Sequence, residues 1–185
     1  MKPIHLCAAL LVAVAAPSFA QAPTWTVDKA KSNVGFSGKH AGKDFKGEFG
    51  EWNAAIAFDP ANLAQSSAKV TFHTKSASTG DSTEDAALAE EEWLNPGKFP
   101  TATFTSTRIT SAGGNNYVAQ GTLTLKGKTL PVSLPFTLTI NGGNATMSGT
   151  ATIDRLAYEI GTLSDGNGTF VSKDIGITVE LVAKK

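Results

Sequence analysis

Cysteine and histidine are both scarce in this chain of 185 residues, which limits the catalytic and metal-binding sites that it can form. The one cysteine, Cys7, lies within the first twenty residues, so the rest of the chain has no thiol for a disulfide, a metal or a nucleophile. His40 and His73 follow, far apart, and no G-x-S-x-G motif accompanies them. Because nucleophilic catalysis needs a nucleophile beside a base, and zinc needs several ligands, we predict neither a catalytic triad nor a metal centre.

An excess of positive charge is also lacking, since 16 basic residues balance 16 acidic ones. The lysines are scattered, and only Lys184 and Lys185 adjoin. Proteins that bind nucleic acid or anionic membranes carry a basic patch or stripe. The sequence therefore predicts no nucleic-acid partner.

The chain has no apolar run long enough for a membrane span, which needs roughly 20 residues. Residues 4–16 form a shorter run behind Lys2, and Ser18 and Ala20 place small side chains just before Gln21. This is the layout of a secretory signal peptide. We expect cleavage after residue 20, and residues 21–185 to form one domain that works outside the cytoplasm.

Alternation of apolar and polar residues dominates the remaining chain and predicts β-strands. Residues 130–140 are the clearest case, with six apolar side chains at even positions. Pro131 and Pro135 fall between them and predict that part of this strand lies at an edge or a bulge. Turn signals that suit hairpins separate the runs at residues 112–116, 126–128, 141–144 and 165–168. About eight or nine strands of this kind predict an antiparallel meander that closes into a barrel or splits into a sandwich.

One segment departs from this pattern. Residues 82–94 are rich in helix formers, Ser82 and Asp85 have the spacing of a capping box, and the Asn95-Pro96-Gly97 sequence ends the pattern. We predict one short helix among the strands.

Large and small residues interleave on the faces predicted to point inward. Phe104 and Phe136 are examples of the large ones, and Gly121 and Gly149 of the small ones. An eight-stranded barrel can be filled by side chains or can hold a small ligand. Spacing alone leaves both a filled barrel and a hollow one open.

Short motifs also follow one another in a characteristic order over residues 25–183. They are WTVD at 25–28, SNVGF at 32–36, GEF at 47–49, IAFD at 56–59, TGD at 79–81, KFPTATF at 98–104, GTLTLKG at 121–127 and IDRLAYEIG at 153–161. In this order the chain resembles the YceI-like family of exported bacterial proteins, also called polyisoprenoid-binding.

The resemblance implies an all-β, lipocalin-like barrel of eight antiparallel strands with one short helix, around an apolar tunnel. It implies a periplasmic carrier, rather than an enzyme, for a long isoprenoid or related lipid such as a polyprenyl pyrophosphate, ubiquinone or a fatty amide. No cofactor is expected beyond such a lipid. The candidate tunnel walls are Phe36, Phe49, Phe72, Trp93, Phe99, Phe104, Leu123, Phe136, Leu138 and Met147. The candidate mouth residues are His40, Arg155 and Tyr158.

The chain departs from the family pattern at the helix. Many members carry Arg-Asp-x-His-Leu there, whereas this chain has Glu84-Asp85-Ala86-Ala87-Leu88. The loss of both basic side chains favours a neutral head group such as a quinone. This form of the helix, together with Leu134-Pro135-Phe136, resembles a subgroup joined to membrane-embedded b-type cytochromes, which suggests such a redox partner. A homodimer also stays open.

Two alternatives compete with a lipid carrier. One is an enzyme that acts on a lipid-like substrate in the same pocket, with His40 as its best candidate base. The other is a filled barrel that works through its surface as an accessory to a membrane redox protein.

Overall fold

The computed structural model describes residues 21–185, and the predicted signal peptide lies outside them. Strands make up more than half of the described residues. These are β1 (Thr24–Val27), β2 (Asn33–His40), β3 (Lys43–Phe49), β4 (Trp52–Ala57), β5 (Ser67–His73), β6 (Ala77–Ser78), β7 (Thr101–Gly113), β8 (Asn116–Leu125), β9 (Lys128–Asn141), β10 (Asn144–Asp154) and β11 (Asp174–Lys184). The helix α1 (Ser82–Leu88) lies between β6 and β7. No helix of residues 21–185 has the length and apolar character to cross a membrane.

The eleven strands form a closed barrel with eight antiparallel staves. Three staves consist of two consecutive strands each, and the other five consist of one strand each. β1 and β2 form the first stave, and both pair with the same edge of β11. β3 and β4 form the second stave and β5 and β6 the third, with β4 paired to β5 and β3 paired to β6. β1 also pairs with β4, and β2 with β3, which joins the first stave to the second. The staves follow chain order, and the pairs with β11 close the wall. The predicted eight-stranded antiparallel barrel is confirmed.

The prolines of β9 explain why this strand is paired on one side only over half its length. β9 pairs with β8 over residues 128–137, but with β10 only from Phe136 onward. The N–H of Leu138 donates to the Asn115 carbonyl on the β8 side, so odd-numbered residues point theirs towards β10. Pro131 and Pro135 are odd-numbered and have no N–H, which ends the ladder with β10. The predicted edge character of this stretch is confirmed.

The predicted helix is shorter than expected and begins differently. It ends at Leu88, and the chain continues to residue 94 in turns. The N-cap is Asp81, whose carboxylate accepts from the N–H groups of Thr83 and Glu84. The expected capping box of Ser82 and Asp85 is therefore wrong, because the Asp85 carboxylate accepts from Ser78 and Thr79 instead.

Three of the four predicted turns connect hairpins, and the fourth does not. Lys126 and Gly127, both at positive φ, link β8 to β9 in a tight turn. Residues 165–168, however, lie inside the longer connection 155–173 between β10 and β11. This connection, α1 and the β2–β3 turn lie at one end of the barrel, here called the mouth end. The opposite end is called the far end.

Aromatic side chains pack together inside the far end. The ring of Phe58 meets that of Tyr117 edge-on at 5.3 Å, and Tyr117 stacks on Phe136 at 5.5 Å. The indole N–H of Trp25 donates to the Phe58 carbonyl at 3.0 Å. Trp25, Phe58 and Phe136 of this cluster also border open space inside the barrel, so the far end is packed at its rim but not filled.

Candidate functional site

The barrel encloses an inner cavity of about 170 Å³ whose lining is entirely apolar. The lining side chains come from the inward positions of the staves, as the alternation requires. They include Phe72, Phe104, Leu123 and Met147. A cavity without a polar group suits a hydrocarbon and offers nothing to hold a charge.

A second cavity of about 330 Å³ lies at the mouth end and adjoins the first. Phe49, Leu125, Ile153 and Ile177 line both cavities, so the two form one path into the barrel. The polar and charged side chains of this path are in the mouth cavity, and they are His40, Thr79, Thr83, Glu84 and Arg155. The path is therefore apolar over most of its length, with its few polar side chains at the mouth, and we call it the tunnel.

Two of the glycines in the barrel wall lie in close contact with phenylalanine side chains. A Cβ added to Gly121 would lie 2.8 Å from the ring of Phe104, and one added to Gly149 would lie 2.9 Å from the Cβ of Phe136. Both distances are shorter than real Cβ contacts allow. Glycine and aromatic residues thus fit together locally, while a cavity persists between the staves.

The structure brings eleven of the thirteen predicted site residues to the tunnel. Those on the inner cavity are Phe49, Phe72, Phe104, Leu123, Phe136, Leu138 and Met147. Those on the mouth cavity are Phe36, His40, Phe49, Trp93 and Arg155. Contact of each of these with a ligand stays a prediction.

Phe99 and Tyr158 line neither cavity. The ring of Phe99 lies against the β8–β9 turn, 2.9 Å from the place a Cβ of Gly127 would occupy. Tyr158 is 1% exposed and packs in the main core beside residues such as Leu94 and Ile160. Burial raises the pKa of its phenol to about 12. Their expected places on the wall and at the mouth are corrected to packing positions.

His40 and Glu84 form a polar pair at the mouth. The Nδ1 of His40 lies 2.8 Å from a carboxylate oxygen of Glu84, and the imidazole meets the ring of Phe170 edge-on at 5.1 Å. An ionised carboxylate only accepts hydrogen bonds, so Nδ1 carries the proton. In the neutral imidazole the Nε2 lone pair is then free to accept a hydrogen bond.

Arg155 also lines the mouth, but its donors are used within the protein. The side chain is buried, its Nε donates to the Ser172 carbonyl, and its Nη1 donates to the Ile160 carbonyl at 2.7 Å. Its Nη2 donates to the Val171 carbonyl and to the Asp165 carboxylate at 2.6 Å. Arg155 was expected to hold a ligand head group, whereas the geometry makes it the anchor of connection 155–173.

Asp165 completes this anchor. Its carboxylate accepts from the N–H groups of Val171, Phe170 and Thr169 and from Arg155. The N–H of Val171, followed by those of Phe170 and Thr169 and the charge of Arg155, holds the pKa of this carboxyl below its usual range. The connection is therefore ordered by this ion pair and its hydrogen bonds, together with a single antiparallel bridge between Val171 and His40 of β2.

Sequence reasoning missed Glu84 and Phe170 as parts of the mouth. Glu84 follows the helix N-cap, and its proximity to His40, which lies on a different element, has no local signal. Phe170 follows a Gly-rich stretch that reads as a turn. An apolar aromatic residue directly after such a turn is the signal that could have been used.

With this geometry in view, the chain can be compared with known proteins. A family model described as a YceI-like domain matches residues 25–183. The chain belongs to the YceI-like family. A UPF0312 protein of Yersinia enterocolitica is 34% identical over 165 residues, covering 88% of this chain and 80% of its own length. A UPF0312 protein of Shewanella denitrificans is 30% identical over 181 residues, covering 96% and 89%.

Solved structures share this YceI-like fold. BcnA of Burkholderia cenocepacia is 36% identical with a TM-score of 0.82, and the match covers 86% of this chain and all of that one. A polyisoprenoid binding domain from Saccharophagus degradans is 14% identical with a TM-score of 0.65, covering 86% and 97%. The second likeness concerns the fold alone, and both agree with the closed barrel described above.

Proposed function

We propose that this chain is a periplasmic carrier that holds the hydrocarbon tail of an isoprenoid-type lipid in the tunnel, with the head group at the mouth. One observation carries the proposal. The inner cavity is lined by apolar side chains alone and opens into a mouth where the polar groups gather. This division matches the two parts of an amphiphile.

The physical benefit lies in keeping the tail away from water. Exposure of hydrocarbon to water costs about 0.8 kcal/mol for each CH₂ group. A dry tunnel avoids that cost while a lipid crosses an aqueous compartment. The layout of residues 1–20 as a signal peptide supports such a compartment as the place of action.

The family supports binding rather than catalysis. A solved domain with the same fold, from Saccharophagus degradans, is described as polyisoprenoid binding. In this chain the residues that line the inner cavity carry no group that could act as an acid, base or nucleophile. We therefore propose that the inner cavity binds the lipid tail and does not catalyse a reaction.

A chain-length series tests the proposal. Geraniol, farnesol and geranylgeraniol share a hydroxyl head and differ by one isoprene unit each. We expect affinity, measured by isothermal titration calorimetry, to rise by about tenfold or more with each unit until the tunnel is filled, since each unit buries more hydrocarbon. Affinity that does not depend on chain length would mean that the tail stays outside the barrel.

We further propose that the head group is neutral. Of the cationic groups at the mouth, Arg155 already donates to protein oxygens through all three nitrogens. The remaining pair, His40 and Glu84, places an imidazole beside a carboxylate at the mouth. A hydroxyl, as in a prenol or a quinol, complements this pair, while a diphosphate meets the carboxylate's like charge, and each basic side chain that lines the mouth cavity already has a partner in the protein.

Farnesol and farnesyl diphosphate have the same tail and separate the effect of the head group. We expect the wild-type chain to bind farnesol more tightly. Glu84→Lys should shift the ratio of the two dissociation constants towards the diphosphate by about tenfold or more, because it replaces a repelling charge with an attracting one. Competition binding with both ligands measures this ratio.

Glu90→Lys is the matched control. Glu90 is exposed, lines neither cavity and undergoes the same change of charge. We expect it to leave the ratio almost unchanged. Equal shifts in the two lysine variants would show that the overall charge of the chain, and not the mouth pair, sets the preference.

A further inference from the structure

Two large apolar side chains of residues 21–185 are strongly exposed, and both lie in connection 155–173. Leu163 is 89% exposed and Phe170 is 59% exposed. Single exposed apolar residues are common on protein surfaces. Here, however, both stand on a segment that borders the mouth, where Phe170 also lines the mouth cavity.

Their exposure is imposed by an ordered backbone. The N–H of Phe170 donates to the Asp165 carboxylate at 3.1 Å, and its carbonyl accepts from the N–H of Ala41 at 2.8 Å. Next to Leu163, the N–H and hydroxyl of Ser164 both donate to the carboxylate of Glu92, at 2.6 and 2.8 Å. These hydrogen bonds therefore fix the backbone from which the two side chains reach solvent.

Three of the lysines around this rim are paired with carboxylates. Lys39 pairs with Asp44 at 2.6 Å, Lys128 with Glu159 at 2.7 Å and Lys173 with Asp154 at 3.1 Å. Glu90 and Glu91 are exposed, and they directly precede Glu92 in the chain. No basic stripe accompanies the apolar pair among the described residues, so we do not expect electrostatic attraction to anionic lipid to contribute to binding at this surface.

We propose that Leu163 and Phe170 insert into the surface of a lipid bilayer and set the mouth of the tunnel against it. The inference rests on the proposed function, because a tail-binding tunnel needs a dry route between lipid and protein. Apolar side chains at the rim of the mouth provide that route, since the tail then leaves the bilayer without crossing water. The rim therefore binds a lipid bilayer, into which its two apolar side chains insert.

Vesicle flotation tests the insertion separately from lipid binding in the tunnel. We expect the wild-type chain to float with phosphatidylcholine vesicles, and the double variant Leu163→Ser with Phe170→Ser to bind about tenfold less. Addition of phosphatidylglycerol or salt should change binding little. A wild-type chain that does not bind, a double variant that binds equally, or binding that requires phosphatidylglycerol would overturn the proposal.

A relocated leucine is the matched control. Leu163→Ser combined with Asn115→Leu keeps one added exposed leucine, but places it in the β7–β8 turn at the far end. We expect this variant to bind vesicles no better than Leu163→Ser alone. If it restores binding, the attraction is unspecific and the assignment of the mouth is wrong.

Two further readouts separate the remaining outcomes. Leu163 lines neither cavity, so Leu163→Ser should take up dispersed farnesol as the wild-type chain does and lose only the rate of transfer from vesicles. Failure of farnesol uptake in the wild-type chain would refute the proposed function while vesicle flotation still reports on the rim. Sedimentation velocity that shows a dimer lost in the double variant, without vesicle binding, would assign the rim to a second copy instead.

Discussion

Phe104→Asp is expected to empty the tunnel. The side chain of Phe104 lies in the inner cavity, where the lining offers no hydrogen-bond partner for a carboxylate. An unpaired buried charge is unfavourable by several kcal/mol, so we expect affinity for geranylgeraniol to fall by about a hundredfold or more. Titration calorimetry measures the loss, and denaturant unfolding should show a stability decrease of about 3 kcal/mol.

Thr105→Asp is the control for this change. Thr105 is the next residue of β7 and its side chain is exposed. It introduces the same charge on the outer face and should bind geranylgeraniol as the wild-type chain does. A folded Phe104→Asp variant that still loads fully would show that the ligand lies elsewhere.

A cavity-filling variant keeps the test valid if Phe104→Asp does not fold. Ala151 lines the inner cavity on β10. Because a phenylalanine there would occupy existing space, Ala151→Phe should lose tail binding while its stability changes by less than about 1.5 kcal/mol. Retained binding would contradict the placement of the tail.

Arg155→Met is expected to loosen connection 155–173 and to lower the free energy of unfolding by about 3 kcal/mol or more. The substitution leaves the carbonyls of Ile160, Val171 and Ser172 without their donor and removes the partner of Asp165. Denaturant unfolding gives the stability. Hydrogen exchange should show faster exchange in residues 160–172.

Arg155→Lys and Arg108→Met are the informative comparisons. An ammonium is a compact group and cannot reproduce the planar fork that reaches these carbonyls, so lysine should not rescue the connection. Arg108, the other arginine, is exposed on β7, and its replacement should stay within about 0.5 kcal/mol. A lysine variant as stable as the wild type would show that positive charge alone is sufficient at position 155.

The wall of the barrel is the part that sequence predicts well. Along β9 every second residue from Lys128 to Asn141 is exposed, as the alternation predicts. The two prolines predict the gap in pairing, because a missing N–H acts locally. Strand composition and turn chemistry are local signals, and they suffice for a meander in which neighbours in sequence are neighbours in space.

The mouth is the part that sequence predicts poorly. Arg155 was expected to hold a ligand head group, but it anchors a connection of the protein. Glu84 was not among the predicted site residues, but it pairs with His40 at the mouth. Both outcomes depend on where residues 155–173 and the helix settle on the barrel. No period or spacing reports that placement, because these segments contain little regular pairing.

Trp93 illustrates how the two parts meet. It was predicted as a wall residue, and it does line the mouth cavity, but it lies after the helix and not on a strand. Its ring faces the Arg155 guanidinium at 5.5 Å, a cation–π distance. Contact of Trp93 with a ligand therefore stays a prediction, while its structural setting became clear only from the fold.

A native mass spectrum of the purified chain, taken beside an organic-solvent extract of the same sample, tests the central claim most directly. We expect one apolar lipid for each chain, with an isoprenoid tail and a neutral head group in the extract. An empty chain that also fails to take up added geranylgeraniol would contradict the tunnel and would favour a filled barrel that acts through its surface.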